Sequence, residues 1–195
     1  MSTALDLWTG RRSPLFGLLD EAREALKTGN PGRQWKTDPI NRGCVLLMVA
    51  EFQGYCSDVH TLAIEHLIAP LPVADREAVR SIARSGRKLD VNNPNLKTIN
   101  HDFEFLCVTE KNFYQELLRA EPKAKNWNKS LTWLLAWRNV YAHSDFDKPF
   151  VSDPNEPNPN QTTLLECRDR INKLVVHFDR VVGDNLTALT KRPTW

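Results

Sequence analysis

No stretch of this sequence approaches the roughly 20 apolar residues of a membrane-spanning helix. Its longest apolar block, Cys44 to Ala50, stops at Glu51. The first ten residues carry no apolar run of signal-peptide type. An excess of one charge is missing as well: 26 basic residues stand against 24 acidic ones. The whole-molecule field therefore does not attract a polyanion, and any nucleic-acid contact has to use a local patch. The four cysteines, Cys44, Cys56, Cys107 and Cys167, form no close pair of metal-ligand type. They are expected as reduced thiols in helices. No segment alternates in the manner of a strand, and no internal repeat is visible. These absences predict a soluble, cytoplasmic chain with no membrane contact.

What remains is a single domain's worth of chain, 195 residues with 41% hydrophobic and 26% charged content, enough to bury a core. Proline and glycine divide it into helical segments. Ser13-Pro14 reads as an N-cap with proline in the first turn, opening a helix that runs to the Gly29-Asn30-Pro31-Gly32 stop. Leu15, Leu18, Leu19, Ala22 and Leu26 give that helix an apolar stripe. Asp38-Pro39 repeats the start signal for a longer helix reaching Ile68, before Pro70 and Pro72. Val45, Val49, Phe52, Cys56, Val59 and Ala63 share one face of it, and Leu46, Leu47 and Met48 make its first half apolar all round, as in a central core helix. A short basic helix follows over about Ala74 to Ser85. Asn93-Pro94 starts another, with Leu96, Ile99, Phe103 and Leu106 facing inward, and a further short one spans about Glu110 to Leu118. Ser130 to Tyr141 is strongly apolar. Four prolines make residues 149–160 a loop, and a last helix covers about Thr162 to Leu189. The expected fold is an all-α bundle of five to seven helices.

The stretch with chemical content is Trp137-Arg138-Asn139-Val140-Tyr141-Ala142-His143. With fifteen arginines and five histidines in the chain, a bare Arg-x4-His spacing arises by chance about 0.4 times, and with Asn after the arginine about 0.03 times. Positions five apart lie about 140° apart on a regular helix. Arg138 and His143 therefore converge only if a helix end lies between them or a second copy completes the site. Ser144 to Pro149 holds few helix-favouring residues, so both routes stay open.

This motif resembles the Arg-x4–6-His signature of the HEPN superfamily, in which Asn is a frequent second residue. Val49-Ala50-Glu51-Phe52-Gln53-Gly54-Tyr55 is similar to the central-helix segment of its ribonuclease-toxin branch. Pro94 to Ile99 and Leu131 to Leu135 are similar to its later helices. The resemblance covers about residues 40–185 and implies a helical bundle acting as a metal-independent endoribonuclease. It further implies a homodimer whose two motifs share a cleft, an RNA substrate, and a role as a toxin or abortive-infection effector with a cognate antitoxin. Histidine titrates near neutrality and moves the 2′-hydroxyl or leaving-group proton, while arginine offers the phosphate a fixed fork of donors. Asn139 is expected to orient the histidine or the phosphate, and Tyr141 to line the cleft or pack. One departure concerns control. Toxins of this branch that are neutralised by a nucleotidyltransferase carry a tyrosine two places after the histidine, where this chain has Asp145. The same fold also serves as a catalytically silent binding module, and on that reading Arg138 and His143 are a salt-bridging arginine and a helix-terminal histidine.

Three further features have a functional and a structural reading. Arg76, Arg80 and Arg84 form a basic stripe that would track an RNA backbone, or a solvated face beside Asp75 and Glu77. Glu51, with Tyr55 and Asp58, lies on another stripe of the central helix; it approaches the cleft or makes a structural hydrogen bond. Trp127, between Lys125 and Lys129, would stack on a base, or belong to the core. His60, His66, His101 and Asp102 match no metal template, and no metal or other cofactor is expected.

Overall fold

Three asparagines set the starts of three helices. Asn95, Asn112 and Asn160 each accept the backbone N–H three residues on, from Thr98, Gln115 and Thr163, at 3.0–3.1 Å. At Asn160 the Thr163 hydroxyl returns the bond to the cap's own N–H, a reciprocal capping box. The computed structural model describes residues 1–26, 37–142 and 158–195. Within them lie α1 (Thr3–Leu7), a π-turn (Trp8–Arg12), α2 (Ser13–Ala25), α3 (Asp38–Ile68), α4 (Val73–Ser85), α5 (Leu96–Asp102), α6 (Phe113–Ala120), α7 (Ala124–Ala142) and α8 (Gln161–Thr190). Short 3₁₀ turns occupy Lys88–Asp90 and Glu104–Leu106. No strand occurs among the described residues. With α1 and α2 counted as one run, the helical stretches number seven there, at the top of the expected range.

The architecture is a bundle around α3, α7 and α8, which pack on one another pairwise. At 31 residues α3 is about 46 Å long, and its expected inner face is buried throughout. Its first half is less enclosed than a wholly apolar girth suggests: Met48 is buried but Leu46 is exposed. An aromatic core joins the layers. Tyr55 packs edge-on to Trp8 and Phe178, and Phe103 packs on Phe113 and Phe178. The Tyr55 hydroxyl, inside this core, donates to the Val175 carbonyl at 3.1 Å.

Two expectations are corrected at the N-terminal end. Ser13 opens α2 with Pro14 in its first turn, as expected, but it is not an N-cap, because the chain is already helical from Thr3. The Ser13 N–H bonds the Trp8 carbonyl five residues back, and this wider turn accommodates Pro14, which has no N–H to give. The inward face of α2 is also not the predicted stripe. Leu18, Ala22 and Leu26 are exposed, while Phe16 and Arg23 are buried. Phe16 follows Trp8 into the core. Arg23 is tolerated because its guanidinium is saturated by Asp20 (2.7 Å), Asn41 (3.1 Å) and the Cys44 sulfur (3.2 Å), and a buried charge survives only with such partners. The predicted stop at residues 29–32 lies outside the described residues, as does most of the proline-rich loop.

No helix among the described residues is long and apolar enough to cross a membrane. The cysteines are free. Burial pushes the Cys44, Cys56 and Cys167 thiols up, Cys167 to about 11, so they stay protonated and unreactive. Cys107 sits just after a 3₁₀ turn rather than in a helix.

Candidate active site

The last turns of α7 carry the motif. Leu134, Leu135 and Val140 are buried, which fixes the rotation of the helix and turns Arg138 and Asn139 towards solvent. Asn139 is then held from outside the helix. Its Oδ1 accepts Asn93 Nδ2 at 3.1 Å and Arg138 Nη1 at 3.3 Å. The asparagine therefore orients the arginine, and its own amide nitrogen is left as a donor. Arg138 has no carboxylate partner among the described residues. His143 follows directly after the last described residue of α7, and both it and Asp145 lie outside the described residues.

Asn93 was missed as a site residue by the sequence, where Asn93-Pro94 reads only as a helix start. The segment before it is anchored twice. Asp102 accepts the Lys88 and Leu89 N–H groups at 2.8 and 2.7 Å, and Gln53 of α3 donates to the Leu89 and Asn92 carbonyls. Nothing in local sequence signals a contact between residues 93 and 139, because neither belongs to a motif that names the other.

Tyr141 is half-buried. Its ring lies 5.6 Å from that of Trp137, and the Arg42 guanidinium stands 5.5 Å over it, within cation–π range. Arg42 and Gln53 share the side of α3 that faces the motif. Glu51 lies about 160–180° around the helix from both. There it bonds Arg12 Nε at 3.1 Å, with Asp58 on another nitrogen of the same guanidinium at 2.7 Å. The structure does not bring Glu51 to Arg138.

The basic stripe of α4 is also elsewhere, and it faces the protein. Arg80 grips Glu65 of α3 with two nitrogens (2.6 and 2.8 Å) and bonds Glu77 as well; these bonds draw the Glu65 carboxyl below its usual range. Arg76 caps the end of α3 on the Leu71 and Ala69 carbonyls. Only Arg84 of the three is without an ion pair or hydrogen bond among the described residues. Glu65 is 12 positions along α3 from Gln53, about 18 Å, so the stripe and the motif meet different stretches of that helix. With Arg76 and Arg80 turned in and Arg84 exposed, α4 buries no residue and exposes Val73 and Ile82.

The remaining histidines are separate. His60 packs edge-on to Phe103 and Phe105, and burial, aided by Arg87, lowers it to about 4. His66 meets Thr190, and His101 meets Asp102 at 2.9 Å. Among the described residues no three metal-ligating side chains converge.

Searches against protein-family models, curated proteins and solved structures find no match for this chain.

Proposed function

We propose that this chain is a metal-independent endoribonuclease of the HEPN type, acting as a homodimer, with Arg138 and His143 as its working pair and Asn139 as the residue that orients Arg138. One observation supports this reading above the others: Arg138 stands near the end of a firmly packed helix, bonded to the neutral Asn139 and, among the described residues, to no carboxylate. A structural arginine is normally saturated, as Arg12, Arg23 and Arg80 are here. In the proposed reaction the ribose 2′-oxygen attacks the adjacent phosphorus as His143 takes its proton. The 5′-oxygen leaves with a proton returned by a histidine, the second motif of the dimer supplying the other imidazole. The products are a 2′,3′-cyclic phosphate and a 5′-hydroxyl, and Arg138 balances the charge gathering on the phosphoryl oxygens. The biological setting proposed is host defence, as a toxin or abortive-infection effector with a cognate antitoxin. Incubation with total RNA and a tRNA pool in EDTA tests the chemistry. Cleavage leaving cyclic-phosphate ends is the expected result, and loss of activity on chelation sinks the metal-free mechanism.

A further inference from the structure

A second feature recurs along the seam between α7 and α8. One cavity, of about 390 Å³, is walled by Trp127, Val176 and His177 and rimmed by Asn172, Lys173 and Arg180, with Glu121 at its edge. The next, of about 220 Å³, is lined by Trp133, Lys129 and Arg170. Arg170 and Lys173 are one turn apart on α8. The two tryptophans are six positions apart on α7, about 9 Å along its axis. Each cavity thus pairs an indole wall with two cationic side chains and one carboxylate, Glu121 in the larger and Glu166 in the smaller.

Apart from Glu121 at its edge, the polar groups of the larger cavity offer donors. Asn172 Oδ1 is already taken by Trp8 Nε1 (2.9 Å) and Ser13 Oγ (3.3 Å), which leaves its amide nitrogen. His177 meets the Leu117 carbonyl through Nε2 at 2.8 Å, so Nε2 carries the proton and Nδ1 accepts from Arg180 at 3.0 Å. Burial and Arg180 lower the His177 pKa, in keeping with that neutral form. Arg180 has no carboxylate partner among the described residues. Lys173 and Arg170 hold Asp169 and Glu166 through surface pairs at 2.6 and 3.3 Å, which are weak enough to be exchanged for phosphate. An apolar wall, an aromatic ring and converging cationic donors suit a planar base attached to an anion.

We infer that this seam is a strand-binding surface, on which successive nucleotides of a single-stranded RNA occupy the two cavities. The choice of RNA rests on the nuclease reading above. The surface itself is separate from Arg138 and does no chemistry.

The test uses the full chain carrying His143→Ala, so that the strand stays whole. Binding of a labelled short oligouridylate is followed by fluorescence anisotropy across a salt series, with UMP in a parallel arm. Trp127→Ala is expected to weaken the oligonucleotide by roughly 5- to 100-fold, the effect of losing one base–aromatic stack, and Trp127→Tyr to restore most of it. K173E/R180E, at the surface, is expected to flatten the salt dependence by about 1.4 in log–log slope, or about 0.7 for each lost phosphate contact. Full affinity and slope in both variants overturn the proposal, as does UMP binding as tightly as the strand or no strand binding at all. Cleavage by the parent protein is scored separately. A nuclease whose strand binding ignores Trp127, Lys173 and Arg180 sinks the seam and leaves the nuclease reading standing. Strand binding that depends on them, without cleavage, does the reverse.

Discussion

His60 should make the fold acid-sensitive well above the range in which carboxylates titrate. Its ring is 5% exposed, wedged between Phe103 and Phe105. Arg87 opposes a positive charge there, while Asp102 and Asp90 favour one without reversing the effect of burial. The folded state thus holds this imidazole neutral down to about pH 4, against an ordinary 6.5. Below pH 6.5 the unfolded chain binds a proton that the folded chain refuses, so unfolding is favoured as pH falls. The loss is about 2 kcal/mol at pH 5 and approaches about 3 kcal/mol near pH 4, from the gap between the two values. Stability is restored in full above pH 6.5. Such a loss is a large share of the 5–15 kcal/mol typical of a domain. His66 and His177 are lowered in the same direction, so the parent alone cannot isolate the effect. His60→Phe removes the titration and keeps an aromatic ring in the slot. Urea unfolding of both proteins at pH 7 and pH 5 gives the double difference: the parent should lose about 2 kcal/mol more than the variant between these pH values. Equal losses would refute the account of His60 as a buried neutral base.

Three other outcomes are expected. His143→Ala should lower cleavage by about 10²–10⁴-fold and Arg138→Ala by about 10²–10³-fold, with unchanged thermal melts; a His143→Ala protein as active as the parent would end the catalytic assignment. Glu116→Gln should destabilise by about 2 kcal/mol in chemical denaturation, because this fully buried carboxylate takes the Val108, Thr109 and Glu110 N–H groups at 2.6–2.9 Å. These bonds and Arg119 hold its pKa down against burial, so the stability it adds is present above about pH 4.5 and lost as pH falls below; no difference at neutral pH would refute it. Light scattering should show a homodimer at micromolar concentration, and a fully active monomer would contradict the shared cleft.

The sequence made α3 and α8 legible because each carries a long apolar face over many turns, and at α3 the Asp38-Pro39 start agrees with it. It misjudged which face of α2 is buried for a specific reason. Counting apolar residues favours the Leu15–Leu26 stripe, whereas Phe16 has Trp8 to meet and Arg23 finds Asp20, Asn41 and Cys44 waiting. Side-chain saturation of a buried charge is a tertiary fact, invisible to periodicity. The basic stripe of α4 is a second case in which tertiary partners decide where side chains point. Its spacing is plain in the sequence, but Arg80 is turned by Glu65, fifteen positions earlier and on another helix. At the candidate site, Arg138 and Asn139 stand out as a motif, and Asn93 does not, because the bond that makes it relevant joins residues 46 apart in the chain.

The placement of the motif follows from the packing of α7. A helix buried along most of its length gives its final turns a rigid base, and Val140 seals one side of the last turn while Trp137 and Tyr141 lean on each other along another. Only a narrow sector is then left for polar groups, and Arg138 and Asn139 fill it. Asn93 holds the Asn139 amide, and Asn139 in turn restricts the rotamers that an exposed arginine would otherwise keep, with no carboxylate on Arg138 among the described residues. On the proposed nuclease reading a neutral clasp matters, since a carboxylate in the same place would compete with phosphate for the guanidinium. Preorganisation without neutralisation is what electrostatic stabilisation of a developing anion requires. The Asn93–Asn139–Arg138 chain is therefore a physical reason to read this helix end as a site rather than as a solvated terminus.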